Sequence, residues 1–131
     1  MAAVLLDTTV VIDLLRGRPG AIARLRALRD MGDLPHTCAI TVEETVRGLR
    51  PGEVMDARGL FSGLRTAALG DEEGWQAGEW RGQFATSGQT LSQADCLIAA
   101  AALSVGARLA TGNPRDFPMA ELSVEHWPPG E

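Results

Sequence analysis

Short apolar runs, each followed by a segment with helical periodicity, recur along the chain. Residues 3–6 predict a buried strand, residues 36–40 and 108–111 predict two more, and the alternating pattern at 122–127 predicts a last one. Strands that alternate with helices are joined by right-handed crossovers, which place the strands parallel to one another. We therefore expect an α/β fold: a three-layer α/β/α sandwich with a mainly parallel central sheet.

The helices are predicted where apolar residues recur at steps of three and four and where glycine or a capping residue marks an end. The predicted segments are 10–16, 21–30, 42–47 and 53–69, then a segment that begins near Asp71 and ends at Gly88, and one that Ser92 opens and Gly106 closes.

The size and composition predict one domain over residues 1–131. With 131 residues, 45% of them apolar, the chain can bury a core without disulfides or zinc. Cys38 and Cys96 stand far apart in apolar surroundings, which favours buried, inert thiols. The N-terminus lacks the pattern of a secretory signal, and no apolar stretch is long enough to span a bilayer. We therefore expect a cytoplasmic protein without membrane contact.

The net charge is −5, yet the basic residues concentrate in the first half of the chain. Residues 1–66 hold nine arginines and eight acidic residues, whereas residues 67–131 hold three arginines and nine. Arginine presents a planar set of donors that suits phosphate. Arg16, Arg47 and Arg50 follow closely on helices that begin at strand ends, so these three are the best candidates for a rim that binds phosphate. Simple solvated surface arginines are the alternative.

Acidic residues follow three of the predicted strands. Asp7 follows the first, Glu44 lies shortly after the second, and Asp116 lies in the loop after the third. Asp95 opens the helix that leads into the third strand. Ligands of open α/β sheets bind at the carboxyl ends of the strands, so we expect these four carboxylates to lie close together.

Helix capping is the alternative explanation for two of these acids. Thr41-x-x-Glu44 and Ser92-x-x-Asp95 both have the spacing of a capping box, in which a hydroxyl and a carboxylate satisfy the first backbone amides of a helix. Capping explains each acid separately. It does not explain why acids also follow the first and third strands.

Crowded carboxylates raise one another's pKa unless a cation neutralises them. Oxygen ligands without accompanying cysteine or histidine pairs favour Mg²⁺ or Mn²⁺ over Zn²⁺. Such a metal activates water for phosphodiester hydrolysis. The sequence therefore predicts a metal-dependent hydrolytic site.

Four segments, in this order, resemble the PIN-domain ribonucleases, in particular the VapC toxins of bacterial toxin–antitoxin pairs. The resemblance covers nearly the whole chain, and the segments that carry it are Leu6–Asp13, Thr41–Gly48, Leu91–Ala100 and Thr111–Phe117. It implies that Asp7, Glu44, Asp95 and Asp116 are catalytic and that Asp7 and Asp95 bind Mg²⁺ or Mn²⁺. Asn113 is the alternative to Asp116 as the last member.

The resemblance also implies an activity and partners. It implies an endoribonuclease that uses a metal to direct water onto an RNA phosphodiester, a homodimer, and a cognate antitoxin that blocks the acidic site. Within the glutamate pair, Glu44 is preferred to Glu43 because it stands four residues before Gly48.

Other readings of the sequence are weaker. A haloacid-dehalogenase-like phosphatase needs a second aspartate at position 9, which is Thr9, and a receiver-like signalling domain needs a lysine, which the chain lacks. A non-catalytic PIN-like module that binds a metal and a protein partner is the remaining alternative. Metal-dependent RNA cleavage separates that module from a nuclease.

Overall fold

A single five-stranded sheet organises the molecule, whose computed structural model describes residues 1–131. The strand order is β3-β2-β1-β4-β5, and every neighbouring pair is parallel. The strands are β1 (Ala3–Leu6), β2 (Leu34–Cys38), β3 (Arg65–Ala67), β4 (Arg108–Thr111) and β5 (Val124–His126).

Helices cover both faces of the sheet. They are α1 (Thr8–Leu15), α2 (Pro19–Asp30), α3 (Ala39–Arg47), α4 (Val54–Ser62), α5 (Asp71–Thr86) and α6 (Gln93–Ser104), with a 3₁₀ turn at Pro114–Asp116. No helix is both long enough and apolar enough to cross a membrane.

Alternate side chains of β1 face two separate cores. Val4 and Leu6 pack with the apolar residues of α1 and α2, whereas Leu5 packs with those of α5 and α6. Successive residues of a strand point to opposite faces, so this division places one helical layer on each side of the sheet. The predicted three-layer α/β/α sandwich is confirmed, and its sheet is entirely parallel.

The chain reverses its direction of travel across the sheet beside β1. From β1 it moves to β2 and β3 on one side, and it then returns to add β4 and β5 on the other. The carboxyl ends of β1 and β4 therefore flank a switch point, where α/β sheets form their ligand crevices.

The predicted boundaries after the second strand are wrong. The strand predicted at 36–40 lies at 34–38, and α3 begins at Ala39 with Cys38 as its N-terminal cap. Thr41 is therefore inside the helix, and Glu44 lies near its middle. The capping-box explanation of Glu44 is contradicted, because a capping carboxylate must lie in the first helical turn.

The helix predicted at 53–69 is also wrong. It divides into α4, which ends at Ser62 with Gly63 as its C-terminal cap, and the short edge strand β3. Strand Arg65-Thr66-Ala67 has only one buried residue, so it carries no apolar run that indicates a strand. Helix α1 begins at Thr8 rather than at residue 10, because Asp7 caps it.

Candidate active site at the carboxyl edge of the sheet

Three strands deliver the site residues to one edge. Asp7 directly follows β1, Thr111 ends β4, and α3, which carries Glu44, begins where β2 ends. Parallel neighbours share their carboxyl edge, and the register confirms it: Leu6 pairs with Ala110 and Leu5 with His36.

Asp7 is a buried carboxylate held by three donors. Its Oδ1 accepts from the backbone amide of Thr8 at 2.7 Å, and its Oδ2 accepts from the hydroxyls of Thr111 at 2.7 Å and Thr9 at 3.2 Å. A carboxylate offers about four acceptor positions, so this arrangement fixes the group and leaves about one position free. Asp7 combines helix capping with a fixed orientation at the centre of the edge.

Glu44 reaches the site from the middle of α3. Its Oε1 accepts from the hydroxyl of Thr8 at 2.7 Å, a contact between α3 and α1. Glu44 is half-buried, whereas its neighbour Glu43 is exposed. Glu44, and not Glu43, therefore faces the edge.

Asp95 lies in the first turn of α6, as the sequence predicts. Its backbone amide donates to the hydroxyl of Ser92 at 3.0 Å, so Ser92 caps the helix. The capping hydrogen bond therefore joins the Ser92 hydroxyl to the backbone amide of Asp95.

Asn113 precedes the 3₁₀ turn after β4, Asp116 ends that turn, and the two residues contact each other. The Asn113 side-chain amide donates to Asp116 Oδ2 at 2.9 Å, and its backbone amide donates to the Thr111 hydroxyl at 3.0 Å. Thr111 in turn donates to Asp7. Asn113 therefore links the Asp116 carboxylate to Thr111, the residue that donates a hydrogen bond to Asp7.

Burial and neighbouring negative charges act on Asp95 and on Asp7. Loss of water around the Asp95 carboxyl group is the main cause that raises its pKa to about 6. A hydrogen bond from the Ser92 side chain opposes this shift. The negative charges of Asp116, Asp7 and Glu44 raise it further, Asp116 most. Burial also raises the pKa of Asp7, against its hydrogen bonds from Thr111, Thr8 and Thr9, and Glu44 adds to the rise.

The donor set suits a hard divalent cation. No three aspartate, glutamate, histidine or cysteine side chains converge closely enough to enclose an ion by themselves. Mg²⁺ in proteins usually keeps several waters and binds through one or two carboxylates together with substrate phosphates, so it does not need such a cage. The oxygen-only ligands, and the raised pKa values of Asp7 and Asp95, fit this water-rich mode of binding.

Sequence reasoning missed the threonines that orient the acids. Thr8, Thr9 and Thr111 donate hydrogen bonds to Asp7 or Glu44. Their only sequence signal is position, directly after Asp7 or at the end of β4. The pairing of Thr8 with Glu44 joins residues 36 positions apart, which no local pattern reveals.

The three arginines predicted to bind phosphate differ in their surroundings. Arg16 forms an ion pair with Glu53 at 2.9 Å and also donates to the Gly48 carbonyl at 3.5 Å, so it ties the end of α1 to the turn between α3 and α4. The Arg16 guanidinium is therefore already engaged within the protein, and its role in phosphate binding stays a prediction. Arg47 and Arg50 are exposed, and neither side chain forms an ion pair.

The chain is similar to known proteins over almost its full length. Residues 4–121 match the PIN domain family. The chain is 31% identical to "Ribonuclease VapC19" of Mycobacterium tuberculosis over 115 residues, which cover 88% of this chain and 92% of that protein.

Solved structures share the fold. The DNA-bound VapBC of Salmonella typhimurium superposes with a TM-score of 0.83 at 22% identity, covering 97% of this chain and 99% of that one. FitAcB of Neisseria gonorrhoeae superposes with a TM-score of 0.71 at 28% identity, covering 92% and 95%. With the sheet order and the acidic edge described above, these similarities establish that the chain belongs to the PIN-domain family.

Proposed function

We propose that this protein is a metal-dependent endoribonuclease and the toxin component of a type II toxin–antitoxin system. The observation that carries the proposal is the edge where Asp7, Glu44 and Asp116 lie near enough to Asp95 to raise its pKa, without a basic partner, in a chain 31% identical to a ribonuclease. The whole of residues 1–131 forms the proposed catalytic domain.

In the proposed mechanism, Asp7 and Asp95 hold Mg²⁺ or Mn²⁺. When bound, the ion would supply positive charge beside the phosphodiester and lower the pKa of coordinated water. Asp7 is already oriented by its three donors, so it loses little conformational freedom on binding. Glu44 and Asp116 would accept hydrogen bonds from water and orient it for in-line attack on phosphorus, opposite the P–O bond that breaks to release a sugar hydroxyl.

The exposed guanidinium groups of Arg47 and Arg50 are proposed to bind the RNA backbone. Arg47 lies three residues after Glu44 on α3, so the two side chains share one face of the helix. Phosphate held beside Glu44 is thereby held beside the acidic edge. A cytoplasmic location is part of this proposal, because cellular RNA is the proposed substrate.

RNA cleavage by the purified protein tests this function. We expect endonucleolytic products from total cellular RNA with Mg²⁺ or Mn²⁺, none with a chelator, and none from the Asp7→Asn variant. Mapping of the cut ends then identifies the RNA target. Metal binding without any cleavage would favour the alternative, a non-catalytic PIN-like module that binds a metal and a protein partner.

An exposed apolar groove supports a protein partner. The groove lies between α3 and α4, has a volume of about 500 Å³, and is lined chiefly by Val42, Val46, Leu49, Val54, Ala57 and Phe61. Met55, beside it on α4, is 78% exposed. We propose that an apolar segment of the cognate antitoxin covers this groove, because contiguous exposed apolar surface marks interaction sites.

Binding of the cognate antitoxin tests this assignment. Val46→Glu places a charge in the groove and should weaken binding at least about tenfold, since burying an unpaired charge is costly. RNA cleavage by the free variant should persist. Equal binding by the variant and the parent would place the antitoxin elsewhere.

The homodimer implied by the family stays a prediction, which sedimentation of the purified chain tests.

A further inference from the structure

We propose that Thr8 is a positioning residue, whose hydroxyl holds the Glu44 carboxylate toward the acidic edge, and that Thr41 orients that hydroxyl. This inference rests on the proposed function, because it assigns Glu44 a task at the metal and water. It extends that function to two residues outside the acidic set.

The contact joins two helices at the edge. Thr8 is the first residue of α1 and follows Asp7 directly, while Glu44 and Thr41 lie one turn apart on α3. The Thr8 hydroxyl oxygen is 2.7 Å from Glu44 Oε1 and 3.3 Å from the hydroxyl oxygen of Thr41. One hydroxyl thus lies between the Asp7 segment and the helix that carries Glu44.

The hydroxyl protons determine the direction of the hydrogen bonds that join Thr41, Thr8 and Glu44. A threonine hydroxyl has one proton and two acceptor positions, so Thr8 donates to only one of its two neighbours. The charged carboxylate forms the shorter and stronger hydrogen bond, so Thr8 donates to Glu44. Thr41 is then the donor to Thr8.

Burial supports this assignment for Thr41. Its side chain is completely buried, and a buried hydroxyl requires a hydrogen-bond partner. The other neighbour of the Thr41 hydroxyl is the Cys38 thiol, which is a weak acceptor. The Thr8 oxygen is the better acceptor for the Thr41 proton.

Anchoring one oxygen of Glu44 has a chemical consequence. A free glutamate on a helix samples many rotamers, and most of them carry the carboxylate into solvent. With Oε1 held by Thr8, Oε2 stays free to accept from a water beside the metal. The same backbone segment also orients Asp7 through the Thr8 amide, so a single residue fixes two members of the acidic set.

The experiment compares three variants with the parent chain. Thr8→Val removes the hydroxyl and keeps the branched shape, Thr8→Ser keeps the hydroxyl, and Thr41→Val removes the buried donor. Thr86→Val is the matched control, because its hydroxyl also forms a short bond, at 2.6 Å to the Gln83 carbonyl, on the distant helix α5. Mn²⁺ affinity is measured by calorimetry without RNA, and kcat and KM are measured on an RNA oligonucleotide.

We expect Thr8→Val to lower Mn²⁺ affinity and kcat about tenfold each, as loss of a hydrogen bond to a charged group does, with KM for RNA unchanged. Thr8→Ser and Thr86→Val should have the Mn²⁺ affinity and kcat of the parent. Thr41→Val should lower both quantities less than Thr8→Val does. In a Glu44→Ala background, Thr8→Val should have no further effect on Mn²⁺ affinity, because the group that it positions is gone.

Distinct outcomes overturn the two proposals. Parental Mn²⁺ affinity and kcat in Thr8→Val, an equal loss in Thr8→Ser, or a further loss in the Glu44→Ala background would each overturn the role of Thr8, even where the parent cleaves RNA. A parent that binds Mn²⁺ without cleaving RNA would overturn the nuclease function, while the Mn²⁺ measurements would still decide the role of Thr8. A parent without Mn²⁺ affinity would overturn both.

Discussion

Carboxylates gather at both edges of the sheet, but only one edge pairs them with a cation. Near the amino end of β4, Arg108 lies between Asp33 at 3.1 Å and Glu125 at 2.6 Å. At the carboxyl edge, Asp7 and Glu44 accept hydrogen bonds from hydroxyls and amides, and no arginine forms an ion pair with any of the four acids.

The pKa values follow this difference. The hydrogen bond from Arg108 lowers the pKa of Asp33, whereas burial and neighbouring negative charges raise the pKa of Asp95 to about 6. Opposite charge stabilises the ionised carboxylate at one edge, and desolvation destabilises it at the other. The fold therefore neutralises acids where they hold strands together and leaves them without countercharge where a cation is expected to bind.

The largest effect on RNA cleavage should come from removing a carboxylate charge at the carboxyl edge. Asp7→Asn or Asp95→Asn should lower RNA cleavage about 1,000-fold, because each removes a ligand charge worth several kcal/mol in the transition state. Asp33→Asn, the matched change at the opposite edge, should cleave RNA like the parent. A comparable loss in all three variants would show that the two edges do not differ in function.

Glu44→Gln sharpens the comparison, because it removes charge and keeps size. We expect a folded protein with cleavage lowered about 100-fold, a typical cost of losing a group that handles protons. Glu43→Gln, on the exposed neighbour, is the control. Melting and cleavage are measured on the same samples, and full activity of Glu44→Gln would remove Glu44 from the site.

The prediction for Glu44 also shows where the sequence misleads. Thr41-x-x-Glu44 has the spacing of a capping box, yet α3 begins two residues before Thr41. Cys38 has extended backbone angles and serves as the cap without a side-chain hydrogen bond. A cap formed by backbone geometry alone leaves no mark in the residue types. The parallel sheet and the shared edge of Asp7 and Asp116, in contrast, follow from the alternation of strands and helices.

The supporting contacts are the part that no sequence pattern contains. Thr8 and Glu44 meet because α1 packs against α3, and Arg16 meets Glu53 because α1 packs against the start of α4. Both pairs join residues more than thirty positions apart. Periodicity predicts which face of an element is buried, but partners on different elements depend on the packed geometry.

A smaller effect is expected from Arg47 and Arg50, the exposed arginines at and just after the end of α3. The Arg47→Ala, Arg50→Ala double variant should bind a non-cleavable RNA about tenfold more weakly, and the slope of log affinity against log salt should flatten by about one unit per lost phosphate contact. Arg18→Ala with Arg26→Ala removes the same charge from exposed positions around α2 and is the control. Equal slopes in both double variants would mean that only net charge matters.

The smallest effect is on stability, and its sign should differ between the edges. The pKa of Asp95 in the folded protein, about 6, lies above the ordinary value of 3.8. The folded protein therefore holds this proton more tightly than the unfolded chain, so the associated stability is present below pH 3.8 and is lost as the pH rises through 6. Without metal, Asp95→Asn should unfold about 1 kcal/mol less readily than the parent at pH 7.5, once solvent screening is allowed for, and should show no such advantage at pH 4.

Asp33 should behave in the opposite way. Its lowered pKa provides stability that is present above pH 3.8 and is lost as the pH falls through the folded-state pKa, so Asp33→Asn should be less stable than the parent at pH 7.5. Urea unfolding with a chelator measures both variants, and added Mg²⁺ should then stabilise the parent more than Asp95→Asn, because ligand binding to the folded state adds to stability. If Asp95→Asn were less stable than the metal-free parent at pH 7.5, its carboxylate would be a structural group like Asp33, and the contrast between the two edges would disappear.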